Sequence, residues 1–510
     1  MWVVKTLRRS PFLKNAAVLT GTSLLLRTVG IFFRIYLSDR IGAEGMGLYQ
    51  LVISVYTFAS AFAAAGICTA VTRLVAEALA RGDRSTALRA LRGAVWVSIA
   101  AGLLSAGILA LTADPLSRYL LKDGRAAAAL RILTVSLPFM GVSSCLKGYF
   151  LARRRAAVTA RAQLLEQAVR IGVIALLLER VGPSDLSAAC GAVMLGDVIA
   201  EIASCLRLAL GFGRDARSLP HHGGERGERV MTALMGIALP VTATRYLNTG
   251  LHTAENLLAP AMIALYTGSR PEALAQFGAL KGMAMPLLFF PAAFLAAVGN
   301  LLVPEISGAA ALGRRERVQE AVGRTLQLTL AASILIGGAF TLYAAPLGQL
   351  LYHTDEVGVL LRVLGPLVPA MYLETVADSM LKGLGQQVST LRYSLIDSGV
   401  RLLLVLLLVP RTGMGGFLFM MVVSNGMMAL LSLHRLLTVT GMRIRWGRWV
   451  ATPLGALLVA GFASFYTQKT APVAALPAWA AVGGGLSVLC LMYGALMIAF
   501  GGIRQKGLRS

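Results

Sequence analysis

Two arginines stand inside the first long apolar stretch of the chain, LLLRTVGIFFRIYL at positions 24–37. Arg27 and Arg34 are seven residues apart, about two helical turns, so both side chains lie on one face of a helix. An ionised group costs free energy in hydrocarbon, and arginines within membrane spans therefore usually mark a binding or transport site. We expect this face to bind an anion. The alternative is that the long side chains reach the membrane surface, most of all Arg34 near the outer end of the segment.

A second polar stripe follows from LPVTATRYLNTGLHTAENLL at positions 239–258. Its polar side chains recur at steps of three, four and three, which places them on one helical face. Lys281 adds a cation in the next apolar segment. Because guanidinium forks match phosphate oxygens, an excess of buried cations favours a phosphate-bearing substrate. The residues predicted to bind it are Arg27, Arg34, Arg245, Asn248, His252, Glu255 and Lys281.

Acidic residues within the apolar segments mostly have a basic partner four positions away, and such pairs can neutralise one another on a helix. The predicted structural pairs are Glu166 with Arg170 and Asp397 with Arg401, and Asp378 with Lys382 could pair likewise. Asp197 and Glu201 share this spacing but carry like charges, so we expect one of them to be protonated. Asp197, Glu201 and Glu255 are the candidates for proton coupling.

The motifs of hydrolases, kinases and P-loop enzymes are missing from the sequence, which predicts a protein that is not an enzyme and uses no cofactor. The five cysteines are widely spaced and lie mostly in apolar segments, which argues against a disulfide framework or a zinc site. His221 and His222 lack a partner at metal-ligand spacing, so no metal is expected.

Composition indicates a multi-pass membrane protein. The 510 residues are 56% hydrophobic and 14% charged, about half the charge content of a soluble domain. The net charge of +24 arises from residues between apolar runs, so we expect membrane topology rather than nucleic-acid binding to explain it. About fourteen segments have the length and composition of transmembrane helices. With the N-terminus inside, the inner loops hold 31 Lys and Arg against 8 outside, which predicts a multi-pass membrane protein with both termini in the cytoplasm.

An internal repeat predicts the architecture. A shift of 231 residues lays LTADPLSRYLLKDGRAAAALRILTVSLP over LYAAPLGQLLYHTDEVGVLLRVLGPLVP, and it carries Glu166 and Arg170 onto Asp397 and Arg401. The shift corresponds to six helices, an even number, so the repeats are parallel. We expect an all-α fold of two six-helix lobes and a final helical pair. The predicted boundaries are 1–212 for the first lobe, 213–230 for a cytoplasmic linker, 231–440 for the second lobe and 441–510 for the extra pair with its tail.

The stretch RIYLSDRIGAEGMGLYQLVISVYTFASAFAAAGICTAVTRLVAEALARGD resembles the polysaccharide exporter branch of the multidrug/oligosaccharidyl-lipid/polysaccharide flippase superfamily, and within it the stage V sporulation protein B group. The resemblance extends across both lobes. It implies alternating access, with an undecaprenyl-pyrophosphate-linked sugar moved outward and the extra pair offering a groove to the lipid tail. In the related lipid II flippases, arginines on the first, second and eighth helices are important for the pyrophosphate-sugar headgroup. Arg27 and Arg34 resemble the first-helix pair, and the resemblance implies that Lys281 stands in for the eighth-helix arginine.

These observations predict a flippase for a lipid-linked oligosaccharide or peptidoglycan precursor, with spore cortex formation as one setting. Its partners would be the lipid-linked sugar pyrophosphate and membrane lipids. A cation-coupled multidrug exporter of the same fold is one alternative, and Glu255 is the carboxylate that such an exporter would use. A scaffold that recruits cell-wall synthesis enzymes without transporting anything is another.

Overall fold

A computed structural model describes residues 11–64, 66–181, 185–217, 230–468 and 477–500. All regular structure in these ranges is helical, which confirms the all-α prediction. The α-helices, in chain order, are α1 (Pro11–Ala64), α2 (Ile67–Ala80), α3 (Arg84–Pro115), α4 (Ala126–Thr134), α5 (Ser136–Ala152), α6 (Ala156–Leu178), α7 (Leu186–Arg217), α8 (Val230–Thr267), α9 (Arg270–Gly278), α10 (Met285–Ala311), α11 (Arg315–Leu342), α12 (Ala344–Tyr352), α13 (Asp355–Leu364), α14 (Val368–Gly383), α15 (Gln387–Leu407), α16 (Val409–Thr440), α17 (Thr452–Gln468) and α18 (Ala478–Ala499).

The helices are those of a multi-pass membrane protein. Ten helical stretches of the described residues are long and apolar enough to cross a bilayer. The number becomes eleven when α4 and α5, which are bent by 44° at Val135, are counted as one broken span. Because lipid offers the backbone no hydrogen-bond partner, helices that satisfy their own amides are the structure expected of such apolar sequences.

Gly42 divides α1, whose 54 residues are more than twice the length that one bilayer crossing requires. Its backbone lies at φ 68° and ψ −179°, a conformation open almost only to glycine. No atom lies within 4 Å of the place that a Cβ would occupy. Glycine is therefore required here by backbone conformation and not by crowding.

The chain forms two compact units, Met1–Ala261 and Met262–Ser510, called unit 1 and unit 2 below. In unit 1, α2, α3 and α5 pack against one another around a core that includes Val71, Leu91 and Tyr149. In unit 2, α17 and α18 pack together, and the Tyr493 hydroxyl of α18 donates a hydrogen bond of 2.8 Å to the Ala331 carbonyl of α11.

The first part of α8 is held against the second half of α1. Thr253 Oγ1 donates to the Ser54 carbonyl at 3.1 Å, and the rings of Tyr246 and Phe58 lie 4.4 Å apart. At the other end of this contact, Gly66 donates its backbone N–H to Thr242 Oγ1 at 3.0 Å. These contacts keep the first part of α8 in unit 1, whereas the predicted second lobe begins at residue 231.

Replacing Gly42 with alanine should lower the free energy of unfolding by about 1–3 kcal/mol, since alanine must adopt a backbone conformation that its Cβ disfavours. Gly107→Ala is the matched control, because Gly107 lies inside α3 with nothing within 4 Å of an added Cβ. The control should be neutral or slightly stabilising. Denaturant unfolding of both variants in detergent makes the measurement, and equal stability of the two would contradict the assignment of Gly42.

Candidate functional site

A polar cavity of about 370 Å³ lies among the helices of unit 1. Its walls come mainly from α1, α6 and α7, with Met140 from α5. The polar side chains of this wall are Arg34, Tyr49, Tyr56, Thr57, Glu166, Gln167, Arg170, Asp197 and Glu201. Charged groups between apolar helices cost free energy unless they pair with one another or bind a ligand.

Sequence spacing places these groups toward the cavity. Tyr49 and Tyr56 follow the Gly42 kink and are seven residues apart, so they lie on one face of the second half of α1. Glu166 and Arg170 are one turn apart on α6, as are Asp197 and Glu201 on α7. Each of the three helices therefore presents at least two polar side chains to the same cavity.

Close packing of α6 on α7 depends on Gly196, the residue before Asp197. A Cβ on Gly196 would lie 2.3 Å from Cγ1 of Ile174, nearer than real Cβ contacts come. The absent side chain lets the two helices approach, and this brings the Asp197 carboxylate within reach of α6. Glycine at this position is thus part of how the site is built.

Arg170 joins both acidic helices. Its Nη2 lies 3.0 Å from Glu166 Oε1, and its Nε lies 2.7 Å from Asp197 Oδ1. Its Nη1 donates to Gln167 Oε1 at 3.0 Å, and Lys147 Nζ lies 3.9 Å from the other Glu166 oxygen. Two cations thereby face two carboxylates, and the four formal charges sum to zero.

Arg34 and Glu201 are the remaining charged groups of the cavity wall. Within the described part of the chain, Arg34 Nη1 is buried without a hydrogen-bond partner, and so is Oε1 of Glu201. The Glu201 residue is only 9% exposed. A buried polar atom without a partner loses its hydration with nothing in return, so a bound ligand or water would be stabilising at both atoms. The cavity thus offers a guanidinium donor to an anion and a carboxylate acceptor to a hydroxyl or a proton.

Comparison with known proteins identifies the family. A sequence profile described as "Polysaccharide biosynthesis protein" matches residues 12–310, more than half of the chain. The chain belongs to this family. Stage V sporulation protein B of Bacillus subtilis (strain 168) is 26% identical over 434 residues, which cover 84% of this chain and 83% of that protein. Lipid II flippase MurJ of the same organism is 23% identical over 407 residues, covering 74% of each chain.

Solved structures show the same fold. A structure of the lipid II flippase MurJ in an inward closed conformation aligns with a TM-score of 0.72 at 11% identity, over 95% of this chain and 99% of that one. An inward-facing multidrug resistance MATE family transporter of the MOP superfamily aligns with a TM-score of 0.63 at 14% identity, over 84% of this chain and all of that one. The family match confirms the polysaccharide branch expected from the sequence.

Among the residues predicted to bind substrate, Arg34 alone lines the cavity. It is half-buried, while Arg27 and Arg245 are exposed. Asn248 is half-buried, and its Oδ1 lacks a partner among the described residues. Lys281 lies in unit 2, with its Nζ 5.7 Å from the centre of the Phe417 ring.

His252 and Glu255, the end of the predicted stripe, have different environments. The His252 side chain is 54% exposed, whereas that of Glu255 is 3% exposed. His252 Nδ1 lies 3.9 Å from Glu255 Oε2, so the two are neighbours on α8 as their spacing requires. Neither residue lines the cavity.

The intrahelical ion pairs predicted from the sequence are present. Besides Glu166 with Arg170, Asp397 Oδ2 lies 4.0 Å from Arg401 Nη1, and Asp378 Oδ2 lies 2.5 Å from Lys382 Nζ. Ser424 of α16 donates a short hydrogen bond to Asp397 Oδ1. No cluster of His, Cys, Asp or Glu suited to a metal ion occurs in the described ranges, and His221 and His222 lie outside them.

Sequence reasoning missed Lys147, Gln167, Tyr49 and Tyr56. The two tyrosines have a helical spacing, but aromatic residues at this spacing are ordinary core positions. Lys147 and Gln167 approach the cavity only because α5 and α6 meet in the fold. Gln167 directly follows Glu166, which the repeat aligns with Asp397. A search for polar residues beside such repeated charges could have found it.

Replacing Arg170 with methionine should destabilise the protein by about 3–5 kcal/mol, because two buried carboxylates would lose their shared counter-charge. Arg131→Met is the matched control, since Arg131 pairs with Asp114 where both side chains are about half exposed. Such a surface pair contributes about 1 kcal/mol or less. Chemical unfolding in detergent compares the two. An equal, small decrease in the free energy of unfolding of both variants would show that the Arg170 network does not stabilise the protein as predicted.

Proposed function

We propose that the protein is a flippase that moves an undecaprenyl-pyrophosphate-linked oligosaccharide or peptidoglycan precursor across the bacterial plasma membrane by alternating access. The observation that carries the proposal is the buried, unpartnered Nη1 of Arg34 at the wall of a polar cavity between apolar helices. The family description and the names of the relatives, stage V sporulation protein B and lipid II flippase MurJ, favour the same class of substrate.

The physical task explains the need for such a cavity. A sugar pyrophosphate cannot cross hydrocarbon with its charges and hydroxyls unpaired. A cavity that binds it in two conformations, opened in turn to each side, lets a gradient or consumption of the product set the direction. In this proposal Arg34 binds the diphosphate, and the acceptor oxygens of Glu201 and Glu166 face the hydroxyls of the headgroup.

The remaining residues keep supporting roles in the proposal. Arg27 lies two turns before Arg34 on α1 and would contact the anion during entry, together with Arg245 and Lys281. Asn248, His252 and Glu255 would contact it along α8. Glu201, Asp197 and Glu255 are the proposed carriers of a coupling proton.

The proposed topology has fourteen crossings, with two six-helix lobes, an extra pair and both termini in the cytoplasm. Division of α1 at Gly42 supports two crossings within that helix. The 23-residue α6 and 21-residue α15 are long enough to cross, and each carries an ion pair that lowers its hydropathy. Gly82 and Gly313, which the repeat aligns, have the same left-handed conformation at φ 76° and 67°.

A cation-coupled multidrug exporter is the second candidate. It is favoured by the carboxylates of Asp197 and Glu201 in the cavity wall and by the fold shared with MATE family transporters. Proteoliposomes separate the candidates. Translocation of a labelled lipid-linked pyrophosphate sugar supports the flippase, whereas ethidium efflux without it supports the exporter. A protein that moves neither would act as a membrane scaffold for cell-wall enzymes.

Arg34→Ala should reduce flipping in proteoliposomes about 10-fold to 100-fold, the effect of losing one hydrogen bond to a charged group of 1.5–3 kcal/mol. Arg34→Lys should retain part of the activity, because the charge remains while the planar fork is lost. Arg40→Ala is the control on the same helix, since Arg40 is exposed and stacks over the Tyr36 ring at 5.5 Å. Wild-type flipping by Arg34→Ala would remove Arg34 from the proposed site.

A further inference from the structure

The connection between α16 and α17 has an unusual charge. No aspartate or glutamate follows Asp397 in the sequence, whereas the segment GMRIRWGRW at positions 441–449 holds three arginines and two tryptophans. Arg443, Arg445 and Arg448 are all exposed. Within the described part of the chain, none of the three side chains forms an ion pair or a hydrogen bond. Three unpaired cations therefore lie within six residues of one another.

Packing beneath the arginines fixes this segment. Gly441 ends α16 in a left-handed conformation at φ 70°, and Gln319 Nε2 donates to the Thr440 carbonyl at 2.9 Å. Met442, Ile444 and Trp449 then pack into the apolar cluster that α11 and α14 form with Leu436 of α16. Partly buried and exposed residues alternate here. Because Met442 and Ile444 pack against the cluster, the guanidinium groups of Arg443 and Arg445 face away from it.

The segment stands at the start of a membrane helix. A π-helical turn, Gly447–Ala451, leads directly into α17. The Trp446 ring is 64% exposed beside the arginines, and tryptophan is enriched where a membrane protein meets the lipid headgroups. Neither acid of the neighbouring α11 neutralises the group: Glu320 pairs with Arg324 at 2.5 Å, and among the described residues Glu316 forms no ion pair with these arginines.

An apolar groove begins at Leu454, six residues after Arg448 in the sequence. It has a volume of about 540 Å³ and runs between α11 and α17 in unit 2. Leu454, Leu458 and Phe462 of α17 form one side, and Ile334, Gly338 and Thr341 of α11 form the other. A hydrocarbon chain suits such a lining, in which Thr341 is the one polar member of the six named residues.

We propose that Arg443, Arg445, Arg448 and Trp446 bind the phosphate headgroup of an anionic phospholipid whose acyl chain lies in the groove along α17. Guanidinium groups match phosphate oxygens, and each basic residue near an anionic membrane surface adds attraction for such lipids. A sugar-bearing headgroup is disfavoured, because residues 441–451 contain no Ser, Thr, Asn, Gln, Asp or Glu to bind its hydroxyls. This lipid site is in unit 2 and does not depend on the proposed transport activity.

Native mass spectrometry of the full-length protein in detergent tests the proposal, with phosphatidylglycerol and phosphatidylcholine titrated separately. Wild type should bind phosphatidylglycerol more tightly than phosphatidylcholine. Arg443→Gln/Arg445→Gln/Arg448→Gln should weaken phosphatidylglycerol binding roughly 100-fold, at about 1 kcal/mol per arginine and 1.4 kcal/mol per factor of ten. Replacing the same three arginines with lysine should retain most of the binding, because the charge is kept.

The control removes three exposed arginines elsewhere, as Arg161→Gln/Arg214→Gln/Arg217→Gln. It should leave phosphatidylglycerol binding within about 3-fold of wild type, and thermal unfolding in detergent without added lipid checks that all variants fold. Equal loss in both triple variants would mean diffuse attraction to net charge and would overturn the proposal. Displacement of bound phosphatidylglycerol by equimolar undecaprenyl phosphate would also overturn it, since the site would then belong to a polyprenyl lipid.

Discussion

The structure of unit 1 depends on the cost of holding charged groups between apolar helices. Arg170 meets this constraint by contacting Glu166 on its own helix and Asp197 on the neighbouring one. The contact to Asp197 requires α6 and α7 to approach closely, which Gly196 permits beside Ile174. Together with Lys147 the network carries no net charge. Beside it in the polar cavity, Arg34 and Glu201 each have a buried atom without a hydrogen-bond partner among the described residues. The diphosphate site is proposed at Arg34, whose Nη1 the network does not use.

The two repeats do not share this cavity wall, although they share an ion pair. The 231-residue shift places Met428 at the position of Asp197 and Ser432 at that of Glu201. In unit 2 the Asp397 carboxylate accepts a hydrogen bond from Ser424, and its distance from Arg401 is 4.0 Å, against 3.0 Å for Glu166 and Arg170. The aligned sequences thus carry different side chains at the two acidic positions of α7, while the ion pair of α6 recurs in α15.

Sequence reasoning predicts the helical fold, the membrane class and the intrahelical pairs, because each depends on local apolar length or on helical spacing. It does not predict which buried arginine meets the cavity. Arg27 and Arg34 share a helical face by spacing, yet Arg27 is exposed and Arg34 is half-buried, since their surroundings differ along α1. The Asp197 contact was missed for the same reason: it crosses from α7 to α6, and Gly196 reveals its packing role only beside Ile174.

We propose that water reaches the cavity in unit 1 and that Arg34 there binds a diphosphate. Thr57→Cys, in a background without the five native cysteines, places a reactive thiol at the cavity wall, and Leu111→Cys places one on an 83% exposed apolar position of α3. A charged methanethiosulfonate should label the cysteine at 57 in membranes and leave the one at 111 unlabelled. Inorganic pyrophosphate should slow labelling at 57 when Arg34 is present and have no effect after Arg34→Ala. The proposal would be wrong if position 57 were labelled no faster than position 111. It would also be wrong if pyrophosphate still slowed labelling after Arg34→Ala.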